Sequence, residues 1–303
     1  MLNRGLTKSA ESEVEHLIAD RRDVESMAKV VRGRGWDAVI DTWSGTPDVV
    51  LNSSQLLAGN VGHFGYVSSR SVYRWPMPEA LDERSPVVEG DVDESDEENY
   101  PAVKRGSELA ALATFPDQTL IARAGLILGP YEYTGRMVWW LRRIQRGGQI
   151  LAPGPADQGI QYIDARDLAA WMLRCAEAGV TGTFNTVCPS EQTNMGEVLN
   201  SAAEVVGSQP QFRWVSPEWI EAAGLAAWTE LPLWLPPTQE YAGMRGGNVS
   251  AAQAAGLTFR PVRETISDTW AWLCREGDPD VLSDQPALGI DAGRELELLA
   301  ALG

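Results

Sequence analysis

Residues 67–73 read VSSRSVY and residues 100–104 read YPAVK. The first stretch completes an apolar run of strand length, HFGYVSS (63–69), and the second opens a helix from about Tyr100 to Ala113. Tyr100 and Lys104, four positions apart, fall on one helix face, with Pro101 suited to the first helical turn. A free tyrosine titrates near pKa ~10, too high for a base at neutral pH, but a neighbouring ammonium favours the phenolate. Lys104 would therefore make Tyr100 usable as an acid or base. Ser69, at the strand end, could hold a substrate oxygen while Tyr100 gives or takes its proton.

Working outward, strand-length apolar runs alternate with helical patterns through the first half of the chain, the order expected of parallel βαβ units. Strands are expected at EHLIAD (15–20), WDAVIDT (36–42), HFGYVSS (63–69) and TLIARAG (119–125), with helices at 23–35 and 47–59. Further on, helices are expected at 136–148, 164–178, 194–207 and 262–277, with one late strand, GTFNTV (182–187). The fold class is α/β, a Rossmann-like doubly wound parallel sheet with a smaller C-terminal substrate-binding cap over the strand ends, where open α/β sheets take ligands. Residues 1–130 would form the core, rejoined by elements around 160–190. Residues 131–159 and 190–275 would form the cap, and 276–303 a C-terminal tail.

The chain has 303 residues, 44% of them hydrophobic, enough to bury a large core. Its formal net charge of -17 would repel a phosphate backbone, so nucleic acid is not an expected partner. The only lysines are Lys8, Lys29 and Lys104, leaving Arg to supply most of the positive charge. Cys175, Cys188 and Cys274 are widely spaced and odd in number, which fits a reducing compartment and gives no metal-ligand spacing. His16 and His63 fall in apparent strands and suit neither a metal nor a triad, so no metal is expected. With no apolar leader and no stretch of 18 or more apolar residues, a soluble, cytoplasmic protein without a membrane partner is expected. The acidic run EGDVDESDEEN (89–99) reads as a solvated loop.

Gly59, Gly62 and Gly65 match G-x-x-G-x-x-G, but in the wrong context. A phosphate loop follows a strand and opens a helix, whereas this one follows a helix and enters a strand. Gly59 is therefore read as ending the helix.

Jointly, VSSRSVY (67–73), YPAVK (100–104), ARAGLILGPYEYTGR (122–136), IQYIDARDLA (160–169), FNTV (184–187) and GLTFRPVRETISDTWAWL (256–273) resemble the extended short-chain dehydrogenase/reductases, the NAD-dependent epimerase/dehydratase family. The resemblance runs from residue 3 to about 275. It implies an NAD(P)-linked enzyme with Tyr100 as acid/base, Lys104 on the nicotinamide ribose, Ser69 on the substrate oxygen and Asp20 near the adenine. It further implies a homodimer built on helices 47–59 and 101–113. One departure is Ala124 after Arg123, where the family often has proline.

In that family a strand, a glycine-rich loop and a helix come first. Here LNRG (2–5) looks like the end of the second strand, so the first strand and its loop are missing from this sequence. Arg4, with Lys8, would recognise a 2′-phosphate and favour NADP(H) over NAD(H). The absent strand belongs in the middle of a doubly wound sheet, and each backbone group left unpaired there costs about 1–3 kcal/mol. Two readings stay open. Either the chain starts late and the natural protein is a conventional reductase, or the variant is real and another segment or subunit fills the gap. In the second case dinucleotide binding is weakened or lost, and Ser69, Tyr100 and Lys104 would serve a cofactor-free isomerase, dehydratase, cyclase or lyase; a non-catalytic binding protein is a third possibility.

Redox chemistry on a small carbonyl or hydroxyl compound is the preferred expectation. Trp43, Tyr73, Trp75, Tyr131, Tyr133, Trp228 and Trp234, in loops near strand ends or in the cap, would line a pocket for an aromatic or apolar substrate. Arg136, Arg142 and Arg143 would suit an acidic substituent.

Overall fold

The computed structural model describes residues 1–5, 14–278 and 288–302. Lys8 lies outside the described residues. In chain order the elements of the N-terminal half are β1 (Leu2–Asn3), β2 (Leu17–Ile18), α1 (Val24–Val31), β3 (Trp36–Asp41), α2 (Pro47–Leu57), β4 (Val61–Ser69), α3 (Tyr100–Thr114), β5 (Thr119–Ala124) and β6 (Leu126–Leu128). There follow α4 (Arg136–Gln145), β7 (Gln149–Pro153), β8 (Tyr162–Asp164), α5 (Ala165–Ala178), β9 (Gly182–Thr186), α6 (Met195–Val206) and β10 (Gln211–Val215). The chain continues through α7 (Pro217–Ala222), α8 (Ala242–Gly246), α9 (Ser250–Ala254), α10 (Val262–Glu276) and α11 (Ala292–Ala301).

Two compact units result. One comprises Met1–Arg74, Ser85–Arg123 and Met172–Phe184, and the other Trp75–Arg84, Ala124–Trp171 and Asn185–Gly303. The first is organised by a four-stranded sheet in the order β3-β4-β5-β9. β3 pairs parallel to β4, with Trp36 opposite Val61 and Asp41 opposite Tyr66. All six residues of β5 are buried, and β4 is buried over most of its length, as strands covered on both faces require. β1 and β2 form a separate parallel pair, Leu2 opposite Leu17.

Helix ends follow local chemistry. The Asp23 carboxylate accepts from the Glu25 and Ser26 amides and starts α1. Pro47 opens α2, and Gly59, at φ +76°, follows its end in the left-handed region that a side chain would disfavour. The glycines at 59, 62 and 65 thus close a helix and enter β4. Phe64 of β4 stacks on Phe115 at 5.0 Å between centroids, in a core that also holds Met27, Val31, Val50, Leu57 and Ala110.

The acidic run is fastened rather than simply solvated. A Cβ at Gly106 of α3 would overlap the Asp91 carbonyl oxygen, so glycine there admits the 89–99 segment against the helix. Val92 packs on the same core.

In the second unit, α4, α6 and α10 pack on one another around Trp140, Leu141, Leu199, Ile266 and Leu273. β7 pairs parallel to β10, and β6 parallel to β8. α11 packs on β7 and contributes Leu299 to a second cluster with Leu151, Ile220 and Trp234. The expected tail therefore ends in a packed helix. β6, β7, β8 and β10 were not expected, and the strand expected at 15–20 is only Leu17–Ile18, so His16 precedes it. His63 lies in β4, its Nε2 2.9 Å from the Val180 carbonyl oxygen.

Candidate active site

Ser69 ends β4 and caps the 3-10 turn Arg70–Val72, its hydroxyl accepting from the Ser71 amide at 3.1 Å and the Ser71 hydroxyl at 2.8 Å. α3 packs against β4 and against that turn, and begins at Tyr100. Tyr100 is 41% exposed, whereas Lys104, one turn later, is 2% exposed. The Lys104 ammonium donates to the carbonyl oxygens of Val67 at 2.7 Å and Trp43 at 2.8 Å, and lies 4.4 Å from the Tyr66 ring centroid. An ammonium has three hydrogens, and these two carbonyls take two of them. Burial pushes Lys104 down to about 7, opposed by the Asp41 and Glu108 carboxylates.

Tyr66 is a poor alternative acid. Its hydroxyl donates to the Trp43 carbonyl at 3.0 Å, and burial holds its pKa well above the usual value. The strand end is fixed from behind by Glu108, which accepts from Ser68 at 2.7 Å, from Arg105 at 2.8 Å and twice from Arg123 at 2.9 Å. Burial disfavours the Glu108 charge, but Arg123, followed by Ser68 and Arg105, outweighs it and holds the carboxyl below its ordinary range.

A second feature of this unit is a cavity of about 300 Å³ lined by Asn3, Arg4, Ala19, Asp20, Arg21, Arg22 and Trp43. It brings together Arg4 and Asp20, two of the residues expected to face a nucleotide, and adds Arg21, Arg22 and Trp43. Arg21 forms a two-bond pair with Asp41, both at 2.6 Å. The Arg21 and Arg22 guanidinium carbons lie 5.3 and 5.6 Å from the Trp43 ring centroid. Asp20 accepts from the Arg22 amide at 2.9 Å, shaping the turn. Arg21 Nε is buried with no hydrogen-bond partner among the described residues, a donor that a phosphate or ribose oxygen would satisfy. Guanidinium groups and an indole face suit a phosphorylated adenosine.

The aromatic residues expected to wall a substrate pocket divide. Trp43 lines the arginine cavity instead. Tyr73 is fully buried with Arg123 4.8 Å from its ring centroid, and Trp234 is buried with its indole donating to the Gly154 carbonyl, so both pack in cores rather than facing open space. In the second unit Tyr131 and Tyr133 are exposed, Arg136 stacks on Trp228 at 4.7 Å, and Trp75 meets Tyr241 edge-on at 5.3 Å. Arg142 pairs with Asp278 and buried Arg143 with Glu295, structural partners rather than open anion sites. Arg21, Arg22, Glu108 and Arg123 escaped the sequence reading. The Arg21-Arg22 doublet directly after Asp20 was the one local signal for the cavity.

Among the described residues no group of three or more His, Cys, Asp or Glu side chains is arranged to hold a metal, and no helix is long and apolar enough to cross a membrane.

A sequence model described as the NAD dependent epimerase/dehydratase family matches residues 37–187. No curated protein matches. Among solved structures, the Bordetella bronchiseptica enzyme WbmH in complex with NAD+ superposes with a TM-score of 0.67 at 15% identity, over 91% of this chain and 90% of that one. RMD from Pseudomonas aeruginosa, complexed with NADPH, gives 0.62 at 16% identity over 90% and 98%. The Thermus thermophilus UDP-glucose 4-epimerase complex with NAD gives 0.59 at 17% identity over 91% and 90%. At such identities the likeness speaks for the Rossmann-like α/β fold with parallel strand pairs.

Proposed function

The chain belongs to the NAD dependent epimerase/dehydratase family, and we propose that it is an NADP(H)-preferring oxidoreductase acting on a small aromatic or apolar carbonyl or hydroxyl compound. One observation carries the reading: the buried Lys104 ammonium, one helical turn from Tyr100, is bonded to the backbone of Trp43, whose indole lines the cavity of Arg4, Arg21 and Arg22. The buried lysine and an arginine-lined cavity thus share Trp43, an arrangement that supports pairing proton transfer at Tyr100 with a nucleotide held in that cavity.

When bound, NAD(P)(H) supplies or accepts hydride. The protein's own part is to position the substrate and move a proton. Tyr100, exposed at the start of α3, gives a proton to the substrate oxygen in reduction and takes it back in oxidation. The Ser69 hydroxyl donates to that same oxygen and orients it. Protonated Lys104 favours the Tyr100 phenolate, and its remaining hydrogen would hold the nicotinamide ribose. Arg4 and Arg22 would hold the adenosine end and favour a 2′-phosphate, with Asp20 shaping the turn that carries Arg22. Tyr131, Tyr133, Trp75 and the Arg136–Trp228 stack are the proposed substrate-facing groups of the second unit. α2 and α3 are proposed to form the seam of a homodimer, with cytoplasmic location and no nucleic-acid partner.

The test is consumption of NADPH with a panel of small carbonyl compounds, comparing wild type with Tyr100→Phe. Turnover on at least one compound, lost by two orders of magnitude or more in Tyr100→Phe, supports the assignment, an effect within the about 10²–10⁴ range of acid–base catalysis. Turnover retained in Tyr100→Phe sinks it.

A further inference from the structure

Arg22 lines the cavity, yet its guanidinium also reaches out of it. One terminal nitrogen donates to Glu97 Oε1 at 2.9 Å, 75 residues further along the chain. Glu97 belongs to the acidic run, and that run is held rather than drifting. Glycine at 106 lets Asp91 close on α3, Val92 is packed on the core, and the Asp91, Glu94 and Asp96 side chains each accept from an amide two residues on. The segment therefore holds the Glu97 carboxylate against Arg22, an arginine that lines the cavity and is proposed to face the cofactor.

Resting on the cofactor reading above, we infer that Glu97 is a built-in competitor for the cofactor 2′-phosphate and so sets how strongly the cavity discriminates NADPH from NADH. A phosphate monoester carries up to two negative charges near neutral pH and offers three acceptor oxygens, so it outcompetes one carboxylate for Arg22 but must first displace it. NADH brings no such anion and leaves the Arg22–Glu97 pair intact. Both side chains are more than half exposed, so the exchange is a modest adjustment of affinity rather than a lock.

The experiment measures NADPH and NADH dissociation constants by calorimetry for wild type, Glu97→Gln, Arg22→Gln, the double variant and Glu98→Gln. Glu97→Gln keeps the side-chain size and removes the charge. The expected result is NADPH bound about threefold more tightly by Glu97→Gln, with NADH unchanged, as befits an exposed ion pair. The gain should vanish in the Arg22→Gln background and be absent from Glu98→Gln. An unchanged NADPH-to-NADH ratio in Glu97→Gln, an equal gain in Glu98→Gln, or a gain that survives without Arg22 overturns the inference while leaving the cofactor reading in place. Binding of neither nucleotide by any variant overturns both.

Discussion

The Lys104 ammonium donates to the carbonyl oxygen of Trp43 at 2.8 Å, while the indole of Trp43 forms a wall of the arginine-lined cavity. The loop after β3 therefore serves both ends of the proposed chemistry: its backbone holds the lysine and its side chain lines the cavity proposed for the nucleotide.

Lys104 should leave a signature in pH-dependent stability. Its folded pKa is lowered to about 7 from an ordinary 10.5 by burial. Below about pH 7 the ammonium is charged in both folded and unfolded chains, and the cost of burying it is fully present. Between about 7 and 10.5 the unfolded chain holds a proton that the folded chain lacks, so stability rises with pH, by at most about 1.4 kcal/mol per unit. Urea unfolding of wild type and Lys104→Met at pH 6.5 to 9.5 checks this, these pH values spanning roughly the window of the shift. The stability difference between them should move in favour of wild type as pH rises; a constant difference would mean that Lys104 titrates normally.

Tyr100 and Ser69 are expected to separate by the size of their effects. Removing the Tyr100 hydroxyl should cost turnover about 10²-fold or more, as loss of an acid–base group does. Ser69→Ala should cost less, about 10-fold, because it removes one hydrogen bond to the substrate oxygen. Tyr100 is 41% exposed, so Tyr100→Phe should unfold at the wild-type denaturant midpoint. Equal, small effects of both substitutions would point to another proton carrier.

The placement of Ser69 at a strand end and of Tyr100 and Lys104 on one helix was legible in the sequence because it is local: an i,i+4 pair and the last residue of an apolar run. The long buried strands β4 and β5 were legible for a similar reason, as continuous apolar runs. β6 and β8, three residues each, are too short to show a period, and α11 lay beyond the last matched motif. The cavity was harder to see. It assembles residues 3–4, 19–22 and 43, and only the fold shows that Trp43 lies beside Arg21 and Arg22. Fastening of the acidic run by Gly106 is likewise a through-space contact that composition conceals.

Glu108 is expected to anchor the strand end that carries Ser69. Its side chain is fully buried and that of Arg123 is 5% exposed, so Glu108→Ala leaves the buried Arg123 guanidinium without its carboxylate and should cost about 3–5 kcal/mol in chemical denaturation. Pairing it with Arg123→Met should recover part of that loss. Because the folded Glu108 pKa is held below 4.5, the stability it contributes is present above that value and is lost as pH falls through the folded one. If Glu108→Ala unfolds like wild type, the cluster is not the anchor.

The proposed homodimer is checked by light scattering. A particle of twice 33.0 kDa is expected, reduced to the single-chain mass by Arg or Glu substitutions on the outward positions of α2 and α3. A 33.0 kDa particle at all concentrations would remove the dimer from the account.

The most direct measurement is titration of the purified protein with NADPH and NADH, following energy transfer from tryptophan, Trp43 included, to the reduced nicotinamide. Saturable binding with NADPH the tighter ligand, weakened for NADPH by Arg4→Ala, is the expected result. A folded protein that binds neither nucleotide would contradict the claim that this is a nicotinamide-dependent oxidoreductase.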